Sequence, residues 1–224
     1  MTATREKTFL LARPEARVLD WIARRLPRWV MPDHLTALGV LAAIGIAAAY
    51  VLSNQDPVWL WAASGLIVVH WLGDSLDGTL ARVRRTERPR YGYYLDHLVD
   101  AVATALIGIG LGLSPHMLLA CGLVIVIAYL VLSINTYLET TTLGVFSLGY
   151  GRLGPTEARL GLIAVNAVLA LGLVPSFTLA GLGLGVLDAF GLALAALMLG
   201  GLAVRVARNL RELARLEPAG QAAP

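Results

Sequence analysis

Residues 74–100 read DSLDGTLARVRRTERPRYGYYLDHLVD, and they set four aspartates inside a chain otherwise built for lipid. Asp74, Asp77, Gly78, Ala81, Arg82, Gly92, Asp96 and Asp100 form the spaced pattern D-x2-D-G-x2-A-R-x9-G-x3-D-x3-D. Asp74 and Asp77 are three residues apart, and Asp96 and Asp100 four, so on helices each pair lies on one face. The Val83–Tyr91 connection is short, which predicts antiparallel neighbouring helices with both acidic pairs at one end and able to face each other. Carboxylates at the edge of a bilayer are too costly to be packing residues. A charged side chain there is by default part of a site.

The composition agrees with a membrane setting. The 224 residues are 57% hydrophobic and 15% charged, with a mean hydropathy of +0.70. The single cysteine, Cys121, cannot form an intrachain disulfide and implies no oxidising compartment. The first 33 residues carry charges throughout and lack an apolar core, so no cleavable signal peptide is expected.

Working outward from the acidic stretch, six segments have the length that a hydrocarbon core needs: Leu35–Leu52, Val58–Arg82, Tyr93–Leu113, Met117–Leu138, Glu157–Val174 and Val186–Arg205. Breakers separate them at Asn54 to Pro57, Pro89, Ser114-Pro115, Gly149 to Pro155 and Pro175. All 18 Lys and Arg residues fall on one side of this topology. The positive-inside rule then puts both termini and the acidic end in the cytoplasm. Residues 14–30 differ: Leu19, Trp21, Ile22, Leu26, Trp29 and Val30 alternate at helical spacing with Arg17, Arg24, Arg25 and Arg28. That pattern predicts an amphipathic helix on the inner leaflet, with a helix packed on a soluble partner as the alternative. The expected fold is an all-α integral membrane protein with six transmembrane helices and an N-terminal interfacial helix. It would be a single membrane domain over residues 1–224, with 35–205 as the bundle and 206–224 as a cytoplasmic tail.

Four negative charges in a poorly hydrated cleft are prohibitive unless neutralised. Two hard divalent cations would balance Asp74, Asp77, Asp96 and Asp100, and carboxylate ligation suits Mg2+, Mn2+ or Ca2+ rather than zinc. A two-metal phosphoryl-type displacement is the natural reaction for such a site. Gly78 and Ala81 carry almost no side chain and would let a nucleotide approach the helix backbone; packing of small residues between helices is their other reading. Arg82 offers a planar fork for phosphate oxygens.

The pattern resembles the signature of the CDP-alcohol phosphotransferase family of integral membrane enzymes, and all eight positions match. The resemblance implies transfer of a phospho-alcohol group from a CDP-linked donor to an acceptor hydroxyl, with release of CMP. It implies that Asp74, Asp77 and Asp96 bind metal and donor. Asp100 would be a metal ligand, the base that activates the acceptor, or both, and Gly92 would give room at the start of the third span. Pro32-Asp33-His34-Leu35-Thr36 is similar to the Pro-Asn-x-x-Thr segment that helps hold cytidine in relatives, so Thr36 carries over as a substrate contact. Asp33, which stands where that segment has Asn, reads equally well as an N-cap of the first span.

Two features bear on the acceptor and point in different directions. Asp96-His97 with Asp100, and Thr156-Glu157 at the start of the fifth span, resemble the choline/ethanolamine phosphotransferase branch, where the His and Glu help deprotonate diacylglycerol. His97 and Glu157 are then catalytic candidates, although Glu157 could simply favour a helix N-terminus. Arg152 and Arg159 instead resemble the basic residues that hold a phosphorylated polyol in CDP-diacylglycerol-dependent phosphatidyltransferases, with inositol phosphate or glycerol phosphate as acceptor. Both also stand where the positive-inside rule places arginines.

The expected partners are therefore a CDP-linked donor, a lipid or polyol-phosphate acceptor and membrane lipids, with no nucleic acid. Family resemblance implies a homodimer, for which the glycines of Gly108-x-Gly110-x-Gly112 could provide close helix packing. His70, Asn135 and Glu139 are polar residues within spans, read first as interhelical hydrogen-bond partners. A divalent-cation transporter is the reading from another class. No carboxylate ladder crosses to the outer face, however, and Gly78, Ala81 and Arg82 have no task in cation passage.

Overall fold

The computed structural model describes residues 11–144, 154–173 and 183–218, and every regular element among them is an α-helix. In chain order these are α1 (Ala12–Ala23), α2 (Pro32–Leu52), α3 (Trp59–Arg84), α4 (Pro89–Gly112), α5 (Leu119–Thr142), α6 (Pro155–Ala170) and α7 (Val186–Leu216). Arg152, and the end of the predicted fifth span at Val174, lie outside the described residues.

Among the described residues, four helices, α2, α4, α5 and α7, are long and apolar enough to cross a membrane. α3 has the length, with 26 residues spanning about 39 Å at 1.5 Å per residue. Its last turns, however, carry Asp74, Asp77, Arg82 and Arg84, which dilute its hydropathy. α6 is short, its 16 residues reaching about 24 Å against the roughly 30 Å of a hydrocarbon core. Large apolar side chains such as Leu41, Ile127, Leu138 and Leu197 stay exposed on the bundle, as lipid-facing surfaces require.

Several element boundaries differ from the sequence expectation, each for a physical reason. Pro89, read as a breaker, is the first residue of α4, where its missing N–H costs nothing. The α3–α4 turn is tight because Arg85 caps α3 in the left-handed region at φ 56°. The N-cap of α2 is Met31, with Pro32 as its first residue, so Asp33 does not cap the helix and pairs instead with Arg88. α1 ends at Ala23, short of residue 30, and Pro27 disfavours helix at the residue before it. The Arg84 guanidinium pins the turn that follows by donating to the carbonyls of Leu26, Pro27 and Val30. α7 runs on to Leu216, so much of the predicted tail is helix.

α2 packs along α3 and α4, α5 along α4 and α7, and α6 along α3. Ile46, Ala49, Tyr50, Leu60, Ala63, Ile67 and Leu169 form one buried cluster where α2, α3 and α6 meet. Within it the Tyr50 hydroxyl donates to Asn166 Oδ1 at 3.0 Å and Asn166 Nδ2 donates to Ser64 Oγ at 3.2 Å. A second cluster seats Leu19 and Ala23 of α1 against Leu35, Leu76 and Leu80. The predicted glycine seam is consumed inside the chain. A Cβ on Gly110 would stand 2.5 Å from Ala47 Cα, one on Gly108 2.3 Å from Val126 Cγ2, and one on Gly112 2.9 Å from Leu119 Cα. Close approach to α2 and α5 is what these glycines provide.

Candidate active site

α3 ends and α4 begins at one end of the bundle, joined by the Arg85–Arg88 turn. Contrary to the expectation of packed antiparallel neighbours, both helices pack on α2 and diverge from each other across a cleft. A cavity of 1760 Å3 opens there. Asp74, Asp77, Asp96 and Asp100 all line it, together with Thr36, Gly78, Ala81, Arg82, Gly92, His97 and Arg159. From this polar mouth the cavity continues between α4, α5 and α7 past Ile107, Leu111, Ile125, Phe190 and Leu194, an apolar throat.

The carboxylates are individually held. Asp77 Oδ2 accepts from Thr36 Oγ1 of α2 at 2.6 Å, and its Oδ1 from the Gly78 amide at 2.5 Å. Asp74 Oδ2 accepts from Arg159 Nη2 of α6 at 2.5 Å, with both side chains below one-fifth exposed. The Asp100 carboxyl stands beside those of Asp74 and Asp96. Asp96 Oδ2 lies 3.6 Å from His97 Nδ1. The His97 ring is stacked on Tyr137 at 4.7 Å between centroids and meets Tyr93 edge-on at 4.2 Å. Arg82 lies back along its own helix, donating to Thr79 Oγ1 at 2.9 Å. Among the described residues, a Cβ on Gly78 would meet only Arg82 Nη1, at 3.5 Å, and one on Gly92 would meet nothing within 4 Å. At the rim Asp33 binds Arg88, whose guanidinium carbon sits 3.9 Å over the Tyr91 ring. The carboxylate holds the Arg88 pKa above its ordinary value.

A divalent cation fits this donor set. Arg159 on Asp74 and Arg82 near Asp77 offset only half the charge of four ionised carboxylates. Asp96, His97 and Asp100 present ligand atoms that all lie within 4.8 Å of one another. Hard oxygen donors with residual negative charge suit Mg2+, Mn2+ or Ca2+.

Some candidates are placed elsewhere. Glu157 is not among the cavity-lining residues; its Oε2 accepts from the Gly154 amide at 2.9 Å and its Oε1 from the Leu11 amide at 2.9 Å. It closes the first turn of α6 and ties α1 to it. Asn135 and Glu139 leave the cleft for a cluster with Arg205 and Asn209 that joins α5 to α7. His70 is buried and lines the cavity one turn before Asp74. Sequence reasoning missed Glu15 of α1, which also lines the cavity. It lies in an otherwise surface-like amphipathic segment, and only the match at Thr156, its partner on α6, hinted that this region meets the site.

Helices long and apolar enough to cross a membrane surround an acidic cleft that continues into an apolar throat, the architecture of an integral membrane protein. A family model for CDP-alcohol phosphatidyltransferase matches residues 29–207, and the chain belongs to this phosphotransferase family. Among its relatives, cholinephosphotransferase 1 of Danio rerio is 26% identical over 166 residues, 67% of this chain and 41% of the relative. The chain thus spans about two-fifths of the length of that protein. Phosphatidylinositol phosphate synthase of Cutibacterium acnes is 33% identical over 99 residues, 44% of this chain and 45% of the relative. The crystal structure of Mycobacterium tuberculosis phosphatidylinositol phosphate synthase with CDP-DAG bound shares the fold, with a TM-score of 0.55 and 24% identity over 82% of this chain and 92% of that one.

Proposed function

We propose that this chain transfers a phospho-alcohol group from a CDP-linked donor to an acceptor hydroxyl and releases CMP. The observation that carries the reading is the convergence of Asp74, Asp77, Asp96 and Asp100 at the mouth of a cavity whose depth is apolar. A bond forms between the acceptor oxygen and the β-phosphorus, the bond from that phosphorus to CMP breaks, and the acceptor proton passes to a base of the protein. Two divalent cations, Mg2+ or Mn2+ with Ca2+ as another occupant, would be held by the four Asp and would neutralise phosphate charge.

The chain's own residues do the rest. Gly78 and Ala81 leave room for the nucleotide against α3, and Arg82 is within reach to fork phosphate oxygens. Thr36 fixes the Asp77 carboxylate through its 2.6 Å hydrogen bond. The Asp100 carboxylate is the proposed proton acceptor, and Gly92 keeps the start of α4 clear. Holding the hydroxyl in line with the phosphorus in a water-poor cleft supplies the orientation part of the rate.

The substrates of the first reading are a CDP-aminoalcohol donor and a diacylglycerol-like acceptor. This reading is supported by His97 lining the cavity beside Asp96 and by the cholinephosphotransferase relatives. A second reading, a CDP-diacylglycerol-dependent phosphatidyltransferase using a polyol phosphate, is favoured by Arg159. That guanidinium reaches the cavity, while Glu157 is turned to backbone amides. In both readings the chain forms a single membrane domain with α3 and α6 completing six spans, α1 lying at the inner leaflet and the cleft opening to the cytoplasm. α1 suits that place: Trp21 is exposed, with Arg25 4.0 Å over its ring. A homodimer is the proposed assembly. The test is CMP release by purified protein in lipid, offered a panel of CDP-linked donors and both acceptor types. No CMP from any pair would sink the assignment.

A further inference from the structure

Glu15 lies on the first turn of α1, outside the acidic motif. Its Oε1 accepts from Trp71 Nε1 at 2.9 Å and Ser75 Oγ at 3.5 Å on α3, and from Thr156 Oγ1 at 2.9 Å on α6. These donors bracket the ion pair of the cleft. Trp71 and Ser75 flank Asp74 on α3, and Thr156 stands one turn before Arg159, whose Nη2 holds Asp74. Glu15, Thr156 and Arg159 line both the main cavity and a second, apolar one of 310 Å3 between α1, α3 and α6, so they form part of the partition between the two.

Attachment of α1 does not require this carboxylate. Leu19 and Ala23 already bury themselves against Leu35, Leu76 and Leu80, and Arg84 grips the turn that follows α1. The Leu11 amide ties α1 to α6 through Glu157 but does not reach α3. Glu15 joins α3 to α6 at the level of Asp74 and Arg159. A half-buried carboxylate is desolvated at a cost and is stable here because charge-assisted donors from two helices converge on it.

We propose that Glu15 is a positioning residue: it fixes the first turn of α6 against α3 and thereby sets where the Arg159 guanidinium stands over the cleft. α1 is then part of the active-site frame as well as a surface helix. The proposal rests on the reading that Arg159 acts in the phosphotransfer site.

The test uses the full chain in lipid with Glu15→Ala, Glu15→Gln, Arg159→Ala and the Glu15→Ala/Arg159→Ala double variant. Amide hydrogen exchange reads the tether without any reaction. The first turn of α6 should exchange about ten-fold faster in Glu15→Ala, α2 should be unchanged, and Glu15→Gln, which keeps an acceptor oxygen, should recover most of the protection. CMP release reads the coupling: Glu15→Ala should lower kcat/KM about ten-fold alone but less than about two-fold in the Arg159→Ala background. A purely structural anchor would act equally in both backgrounds. Equal effects, or unchanged exchange in α6, would overturn the proposal. If the wild-type chain releases no CMP, the functional reading fails while the exchange result still decides the tether. Should Glu15→Ala not fold, Glu15→Asp, which shortens the reach, takes its place in both arms.

Discussion

Replacing Arg159, His97 and Glu157 one at a time decides which acceptor the cleft serves. Arg159 Nη2 stands 2.5 Å from Asp74 Oδ2, and the two side chains are 18% and 19% exposed, so the guanidinium is at the cavity and poorly hydrated. If it holds an acceptor phosphate, Arg159→Ala removes a charge-assisted contact worth about 1.5–3 kcal/mol. That raises acceptor KM about ten- to a hundred-fold, while His97→Ala stays near wild type. If the acceptor is diacylglycerol, there is no phosphate to lose. His97→Ala then lowers kcat by about 10^2 to 10^4, the usual worth of a positioned acid–base group, with donor KM little changed. Glu157→Ala is expected to behave as a lost helix cap in either case, because both carboxylate oxygens accept from backbone amides. It should cost about 1–2 kcal/mol of stability and lower kcat by less than about ten-fold. The assay is CMP release at saturating donor with acceptor varied, in parallel with thermal unfolding of each variant in lipid. A hundred-fold loss of kcat in Glu157→Ala at unchanged stability would refute the cap assignment. A strong acceptor-KM defect in Arg159→Ala with normal His97→Ala would end the diacylglycerol reading.

Alanine at Asp74, Asp77 or Asp96 should abolish turnover in a folded protein, and chelation with EDTA should do the same until Mg2+ or Mn2+ is restored; full activity after chelation would remove the cation from the mechanism. Gly78→Val should fold and raise donor KM about ten-fold, since its Cβ meets only Arg82 Nη1 at 3.5 Å and the added methyls enter the nucleotide's space. Gly73→Ala should act through packing, lowering stability by about 1–3 kcal/mol and weakening donor binding only through the loosened Thr36–Asp77 contact, because its Cβ would stand 2.7 Å from Gly39 N and Leu35 O. A cysteine at Glu87, in the α3–α4 turn, should react with an impermeant maleimide only in inverted vesicles, and labelling of intact cells would reverse the proposed orientation. The native Cys121 is buried.

The acidic end of the site was legible because its information is local. Three- and four-residue spacings fix which side chains share a helix face, and a short turn fixes that the two acidic pairs stand at the same end. Asp74, Asp77, Asp96 and Asp100 could therefore be placed on one cavity from residues 74–100 alone, although α3 and α4 pack on α2 and not along each other. What crosses long stretches of chain was not legible. Arg159 reaches Asp74 from 85 residues away and Glu15 reaches Thr156 from 141, and no periodicity encodes which of many surface-like charges turns inward. The direction of Glu157 was equally hidden, because a Glu at the third helical position serves a cap or a cleft with the same sequence. α1 stops before residue 30 because amphipathic periodicity continues across Pro27 while the helix does not. α7 runs past Arg205 because polarity marks the edge of the lipid and does not mark the end of a helix; α7 carries Arg205, Arg208, Arg211 and Arg215 along unbroken helix.

The glycines show why packing and site cannot be separated in this bundle. Gly78 and Gly92 face open space, whereas Gly73 lies against Gly39 so closely that a Cβ would stand 2.7 Å from the Gly39 nitrogen. Gly39 is one turn beyond Thr36 on α2, and Gly73 is one turn before Asp77 on α3. The backbone contact between these two glycines is what brings α2 close enough for the Thr36 hydroxyl to reach the Asp77 carboxylate at 2.6 Å. A Cβ on Gly39 would meet Asp74 N at an ordinary 3.6 Å. A side chain at Gly73 would instead hold the helices apart, and a hydrogen bond tolerates only a few tenths of an ångström before it weakens. Asp77 would then lose its orienting donor while all eight residues of the motif remained in place.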